Sequence, residues 1–568
     1  MLKWFVQASG VAAAVLHASS GYAQAQGPVL KPGAAQNFQT CDGYGAPNGN
    51  GDGITKAASG FLGIFIPEPK SGDTGLRGMT VSAFGIEACT DALANTERLL
   101  PQYHIRRASL LRARAIHRFG TNDKRGAQAD LDAADAEGAI ESDRFYLRSM
   151  GLGNQLLRAY FVLSEGQAER AATLTRETAK ARPYSGAIQR LANVMLFNAE
   201  RNPDARYAAL DADATLNPNM RRVPLEAAAD RLDWAKVIET RAQLDFTPPK
   251  QHQAGFLMED YPLVLARLFV DRFRFDTLTS FALAAQGRDA DSRALLNALA
   301  QRLEPLKADL PLQPNGSKQP RVQRDAHRYL QAYHYELKQQ LAAARADATL
   351  MELARRGDTQ AFLKEAERRS VPHNGRGLAM LRALREAKAS NAALDALEAT
   401  LTEAKARHDR DPIPLTVDQL YRIAPAPETR GRVPKYASSK ALLGDSGNGF
   451  ILDMDGVVQL VSFEGMNASE AVVEELALLK AAEEALAAGK DRFALLDKDA
   501  VGRSSMYGYM GFGRPIASGY IVNLRVIRFG PEGPPPGYEA FATRAIAARE
   551  VIDALAPVYE VETANAKP

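Results

Sequence analysis

The sequence predicts a mainly α protein, an α-solenoid of helical hairpins followed by a small α+β domain ordered β-β-α-β-β-α. Three observations lead there. Apolar residues recur at helical spacing from about residue 84 to 408, and helix-terminating prolines at Pro183, Pro218 and Pro248 fall 35 and 30 residues apart. Five prolines at positions 412, 414, 425, 427 and 434 then forbid a continuous helix. Beyond them the apolar period shifts toward two, as in "GFILD" and "VVQLVSFEG".

Taken in order, residues 1–25 read as a signal peptide. Lys3 precedes a short apolar stretch, and Ala23-Gln24-Ala25 fits the small-x-small cleavage rule, with Gly21-Tyr22-Ala23 as a competing site. The run is too short and too interrupted by Ser, Gly and His to span a bilayer, and no cysteine closes it as a lipid-attachment site. The expected product is an exported bacterial protein, periplasmic or secreted. Residues 26–83 are rich in Gly, Pro, Asn and Ser and are expected to be loops. Within them Asn48, Asn50 and Asp52 alternate before Gly53, but Ser59 stands where a calcium loop needs a bidentate Glu. The two cysteines, Cys41 and Cys89, are a disulfide candidate in an oxidising compartment, worth roughly 3–4 kcal/mol; two buried thiols are the alternative. No Cys-x-x-Cys or nearby His pair suggests a metal.

Residues 84–408 carry the hairpins. "RRASLLRARAIHRFG" turns at "TND" and returns as "KRGAQADLDAADAEG". "NQLLRAYFVLSEGQAERAATLTRETAKARP" makes another, and "NPDARYAALDADATLNP" opens on Asn202-Pro203 and closes on Asn217-Pro218. "PLEAAADRLDWAKVIETRAQLDFTPP" and "LTSFALAAQGRDADSRALLNALAQRLEP" repeat the pattern. These segments resemble tetratricopeptide repeats, with Gly120, Gly166 and Gly287 at turns and Ala171, Ala208 and Ala294 at second-helix contacts. The resemblance covers perhaps 300 residues and implies stacking, a curved concave surface and a peptide or protein partner bound there.

Residues 409–440 read as a Pro-rich linker and 441–568 as the α+β domain. Its helix, "NASEAVVEELALLKAAEEALAAGK", has Asn467 or Ser469 as cap and Gly489 as stop, and "YEAFATRAIAAREVIDALAPVY" is expected to be a closing helix. The stretch from Val458 to Asp499 resembles a family of small bacterial envelope lipoprotein domains, through Gly465, Leu478 to Glu483, Gly489, Asp491 and Phe493. That resemblance implies a fold and a location, with no chemistry attached.

"GFILDMDGVVQLVSF" also resembles the nucleophile loop of haloacid-dehalogenase-like phosphatases, in which Asp453 would attack phosphate and Asp455 would protonate the leaving group with Mg²⁺ bound. Only 115 residues follow Asp453, no strand ends in Ser or Thr in the required order, and "VVQLVSF" runs straight into a second strand. Asp455-Gly456 between apolar runs is a hairpin signal, and the hairpin is the expectation. Ser446 in "GDSGNG" has no His in its domain, since none of the eight lies beyond His408. His327 and His334 share a helix face with Tyr329, Tyr333 and Tyr335 interleaved, more an aromatic partner surface than a metal site. The "MYGYMGFGRP" stretch, with Tyr507, Tyr509 and Phe512, is expected to be a hairpin tip.

The formal charge is +3, or +2 without the segment bearing Lys3, which gives no footprint for nucleic acid. The expected function is a protein-binding scaffold of the bacterial envelope, with no cofactor, no metal and no membrane span in the mature chain; the Mg²⁺-dependent phosphatase is the alternative.

Overall fold

The computed structural model describes residues 34–47, 81–140, 144–200, 202–248, 261–311, 320–369, 374–388, 392–410, 449–466, 468–507 and 514–561, with short pieces between them such as 427–428 and 433–438. Residues 1–25, read above as a signal peptide, the Asn48 to Ser59 stretch, Pro412, Pro414, Pro425, Ser446 and the expected tip at residues 508–513 lie outside the described residues.

The chain is mainly helical with a small antiparallel sheet near its C-terminal end. Helix α1 (Ala34–Asp42) lies inside the segment expected to be loops. It forms because Phe38 and Cys41 are buried against α2 (Ala83–Ala94) and α3 (His104–Gly120), a cluster too small to show in composition. Cys41 and Cys89 are bonded, joining α1 to α2. Asp42, at the end of α1, accepts from the Arg106 guanidinium and from Ser109 Oγ at 2.8 Å, all buried. His117 on α3 completes this corner. Its Nε2–H donates to Cys41 O at 3.0 Å while Nδ1 accepts from Ser82 N–H at 3.3 Å. Gly85 permits this, since a Cβ there would fall 2.2 Å from the imidazole.

Helices then follow in succession, each packed on its neighbours in sequence: α4 (Lys124–Ile140), α5 (Arg144–Tyr146), α6 (Leu152–Ser164), α7 (Ala168–Ala181), α8 (Gly186–Ala199), α9 (Pro203–Leu216), α10 (Arg222–Asp230) and α11 (Trp234–Ala242). A π-helical turn, Leu147–Gly151, leads into α6. The turn chemistry is local. Gly166 has φ +80°, the left-handed backbone that glycine adopts freely, and Asn202 caps α9 by accepting from Asp204 N–H.

Regularity fades after residue 261. Helix α12 (Tyr261–Ala285) runs 25 residues and α14 (Arg321–Arg355) runs 35, packed along each other, with α13 (Asp289–Leu303) folded back between them in sequence. No glycine or proline interrupts residues 321–355, so nothing breaks that helix into a pair. Helices α15 (Thr359–Arg368), α16 (Gly375–Glu386) and α17 (Ala392–Arg410) complete this part.

The C-terminal sheet has order β1-β2-β4-β3-β5, all antiparallel: β1 (Gly449–Asp453), β2 (Gln459–Met466), β3 (Arg492–Tyr507), β4 (Arg514–Phe529) and β5 (Ile546–Ala547). Helix α18 (Glu470–Ala487) covers one face, capped by Ser469 Oγ accepting from Val472 N–H at 3.2 Å and followed by Gly489 at φ +71°. The closing helix α19 is shorter than its sequence suggests, Ala548–Tyr559. Residues 539–544 form a 3-10 turn, and Ile546 and Ala547 are drawn into the sheet by pairing with Phe493 and Arg492. Edge pairing outweighs helix propensity there.

Candidate functional site

Of the residues singled out from sequence, Asp453 and Asp455 belong to a β-hairpin. Asp453 ends β1, an edge strand, opposite Leu460 of β2, and Gly456 turns the chain at φ +83°. The phosphatase geometry, a nucleophile on a central parallel strand, is therefore not formed. Asp497, the acidic residue nearest Asp453 along the sheet row, lies three strands away through Leu460 and Arg525, about 14 Å at ordinary strand spacing. His327 is buried and donates from Nε2 to Ala308 O at 2.8 Å, while Tyr329, Tyr333 and Tyr335 are exposed. Among the described residues no group of three His, Cys, Asp or Glu is placed to hold a metal, and no helix is long and apolar enough to cross a membrane.

The structure instead brings charge together where the C-terminal domain meets the helices. Helix α18 is buried on nearly every side, one side by the sheet and another by the helices. Its two adjacent carboxylates, Glu474 and Glu475, therefore have no solvent face. Glu475 is 0% exposed and accepts from Arg182 Nε and Nη2 at 3.0 and 3.1 Å, from Arg148 Nη2 at 2.9 Å, and from Tyr559 Oη. Glu428, from the linker, lies on the other side of Arg182 at 3.1 Å and accepts from Ser469 Oγ. Burial works to raise Glu475, but Arg182 and Arg148 outweigh it and hold the carboxyl below the usual range. At Glu428 burial wins over Arg182, and its carboxyl sits above the usual range. Burial and the Glu475 charge both raise Tyr559.

Glu474 faces the first turn of α8. Its Oε2 accepts from Gly186 N–H at 3.3 Å and its Oε1 from Lys498 Nζ at 2.6 Å, with Asn217 Oδ1 also 2.6 Å from that ammonium. A helix N-terminus favours such a negative charge. Gly186 is required for the approach: a Cβ there would lie 2.6 Å from Glu474, Lys498 and Asn217 together.

Further along, Arg221 closes the outer edge of β3. Its guanidinium donates to Leu495 O and, at 3.2 Å, to Leu496 O, Gln243 O and Ala214 O, and Asn219 Nδ2 donates to Lys498 O at 2.7 Å. Arg544 reaches the other way, to Gln243 Oε1 at 2.8 Å and Asp211 O at 2.7 Å. Burial and the neighbouring Arg544 charge lower Arg221 from the usual guanidinium range.

The helical contributors follow a rule. Arg148, Gly186 and Arg221 stand at or just before the starts of α6, α8 and α10; Arg182, Asn217 and Gln243 stand just after the ends of α7, α9 and α11. Three successive hairpins thus offer the same edge to the C-terminal domain. Of these residues only Asn217 was named from the sequence, as a helix terminator and not as a contact to this domain. The available signal was in "AVVEELALL": a helix apolar on every side leaves its glutamates nowhere to go but inside.

Comparison with protein-family models, with curated proteins and with solved structures returns no match for this chain.

Proposed function

We propose that the chain is an exported scaffold that binds a peptide or protein partner on the helix faces of a tetratricopeptide-like array, with the C-terminal domain acting as a brace along one edge. The observation that carries this is the recurrence just described. Starts of first helices meet one domain 38 and 35 residues apart, and ends of second helices 35 and 26 apart, near the spacing of stacked helical hairpins with a shorter last unit. Because the domain engages helix ends, the exposed faces of α7, α9 and α11 stay open to other contacts, while α6, α8 and α10 are almost wholly buried. The seam is built of buried, mutually satisfied charge, which fixes register and orientation more than it adds affinity. Compartment is part of the proposal: the Lys3 to Ala25 segment directs export, and the Cys41–Cys89 bond suits an oxidising space.

The test is crosslinking of the purified mature chain to a cell-envelope fraction, with the adducts mapped. Saturable crosslinks on the exposed faces of α7, α9 and α11 support the scaffold, whereas crosslinks only on the C-terminal domain, or none that saturate, refute it. N-terminal sequencing of the chain from cells should begin after Ala25. Mg²⁺-dependent hydrolysis of a generic phosphate ester, lost on Asp453→Asn, would overturn the reading altogether.

A further inference from the structure

Beside the charged seam lies a pocket of about 410 Å³. Four parts of the chain wall it: α5 through Arg144 and Phe145, the linker through Arg430 and the Val433 to Tyr436 stretch, α18 through Leu476, and the end of α19 through Tyr559 and Glu560. We propose that this pocket is a binding site for a small anion carrying an apolar or aromatic body, a carboxylate or a phosphate ester, and that the Glu560 carboxylate stands at its anion position.

Three observations converge. The first is charge. Arg144, Arg430 and Lys435 line the pocket against one carboxylate, Glu560. Glu560 bridges the two arginines, one oxygen accepting from Arg144 Nη2 at 2.9 Å and the other from Arg430. Two guanidiniums converging on one carboxylate is an anion-recognition geometry.

The second is conformation. Glu560 follows α19 at φ 54°, ψ 40°, the left-handed position that ends many helices and usually falls to glycine. Its N–H and that of Val561 both bond to Ala556 O. A glutamate there is strained where glycine would not be, yet it is the residue whose carboxylate reaches both arginines.

The third is the walls. Tyr436 Oη donates to Glu483 at 2.8 Å and Tyr559 Oη donates to Glu475, so both hydroxyls are engaged outside the pocket. What the tyrosines offer the pocket is ring surface, beside Leu476 and Phe145. A bare anion would leave that surface wet; an anion with a ring or short chain would cover it. Since the walls belong to the helices, the linker and the C-terminal domain together, a ligand seated here also holds the three together.

The experiment is calorimetric titration of the mature full-length chain with phenyl phosphate and phenylacetate, alongside inorganic phosphate and benzyl alcohol. The two aryl anions should saturate at least about tenfold more tightly than either half-probe. Glu560→Gln, which removes the competing carboxylate, should tighten both about tenfold; Arg430→Ala with Lys435→Ala, at exposed positions, should weaken them about tenfold with an unchanged melting temperature. Equal binding of benzyl alcohol or inorganic phosphate, indifference to the two substitutions, or no saturable binding to wild type and Glu560→Gln each overturns the proposal. A preference for one aryl anion over the other identifies the headgroup without altering the assignment.

Discussion

Glu475→Ala is the sharpest perturbation of the seam. The wild-type carboxylate receives two bonds from Arg182, one from Arg148 and one from Tyr559. Arg148 is 18% exposed and can turn back to water, and the Tyr559 hydroxyl is neutral. Arg182 has neither escape: it is 0% exposed and keeps only Glu428 and the Arg148 carbonyl. Removing one partner of a buried pair costs about 3–5 kcal/mol, and the residual Glu428 contact places this case near about 3 kcal/mol. That is a large share of the roughly 5–15 kcal/mol by which a domain is held folded. The assay is urea unfolding followed by helical circular dichroism and by Trp234, which is buried in the helical part. The matched control is Arg182→Met with Glu475→Met. It removes both charges, and Glu428, whose carboxyl burial already biases toward the protonated form, can neutralise itself. The double variant should therefore cost at least about 2 kcal/mol less than the sum of the two single ones. Strict additivity, or a loss of under about 1 kcal/mol for Glu475→Ala, would refute the coupling argued here.

Two other outcomes follow from the geometry. His117 is buried with its Nδ1 accepting from Ser82 N–H, and burial lowers its pKa from 6.5, so the unfolded chain binds the proton first. Stability from this group is complete above about pH 6.5 and falls as pH drops below it, by up to about 1.4 kcal/mol per unit until the folded imidazole protonates; His117→Gln should flatten that slope in urea titrations between about pH 5 and 7. Arg221→Ala strands four buried carbonyls at the β3 edge and the hairpin ends, and should cost about 3 kcal/mol or more in thermal unfolding, with Arg221→Lys recovering only part because an ammonium cannot fork.

Much of the fold was legible because it rests on local chemistry. Asn202-Pro203, Gly166 and Ser469 set helix ends by rules that operate within a turn, and Asp455-Gly456 sets a hairpin in the same way. The 35-residue α14 was less so, since periodicity marks a helix without saying where a partner would break it. The end of the chain was misread as all helix because Ile546 and Ala547 answer to β3, more than fifty residues upstream. The seam was the least visible. Arg182 and Glu475 are 293 positions apart, and nothing local in the sequence pairs one with the other.

The reach of Arg221 and Asn219 into β3 bears on how the chain can be divided. An outer strand with open carbonyls is a template for another chain to zip onto, and here the helices supply the shield in place of a further strand. Cut at the linker, residues 449–561 would keep their hydrophobic centre but present a bare strand margin to solvent. Such a fragment should self-associate, and coexpression with the severed helical half should keep it dispersed. A polypeptide built this way is safest when both halves emerge from the ribosome as one.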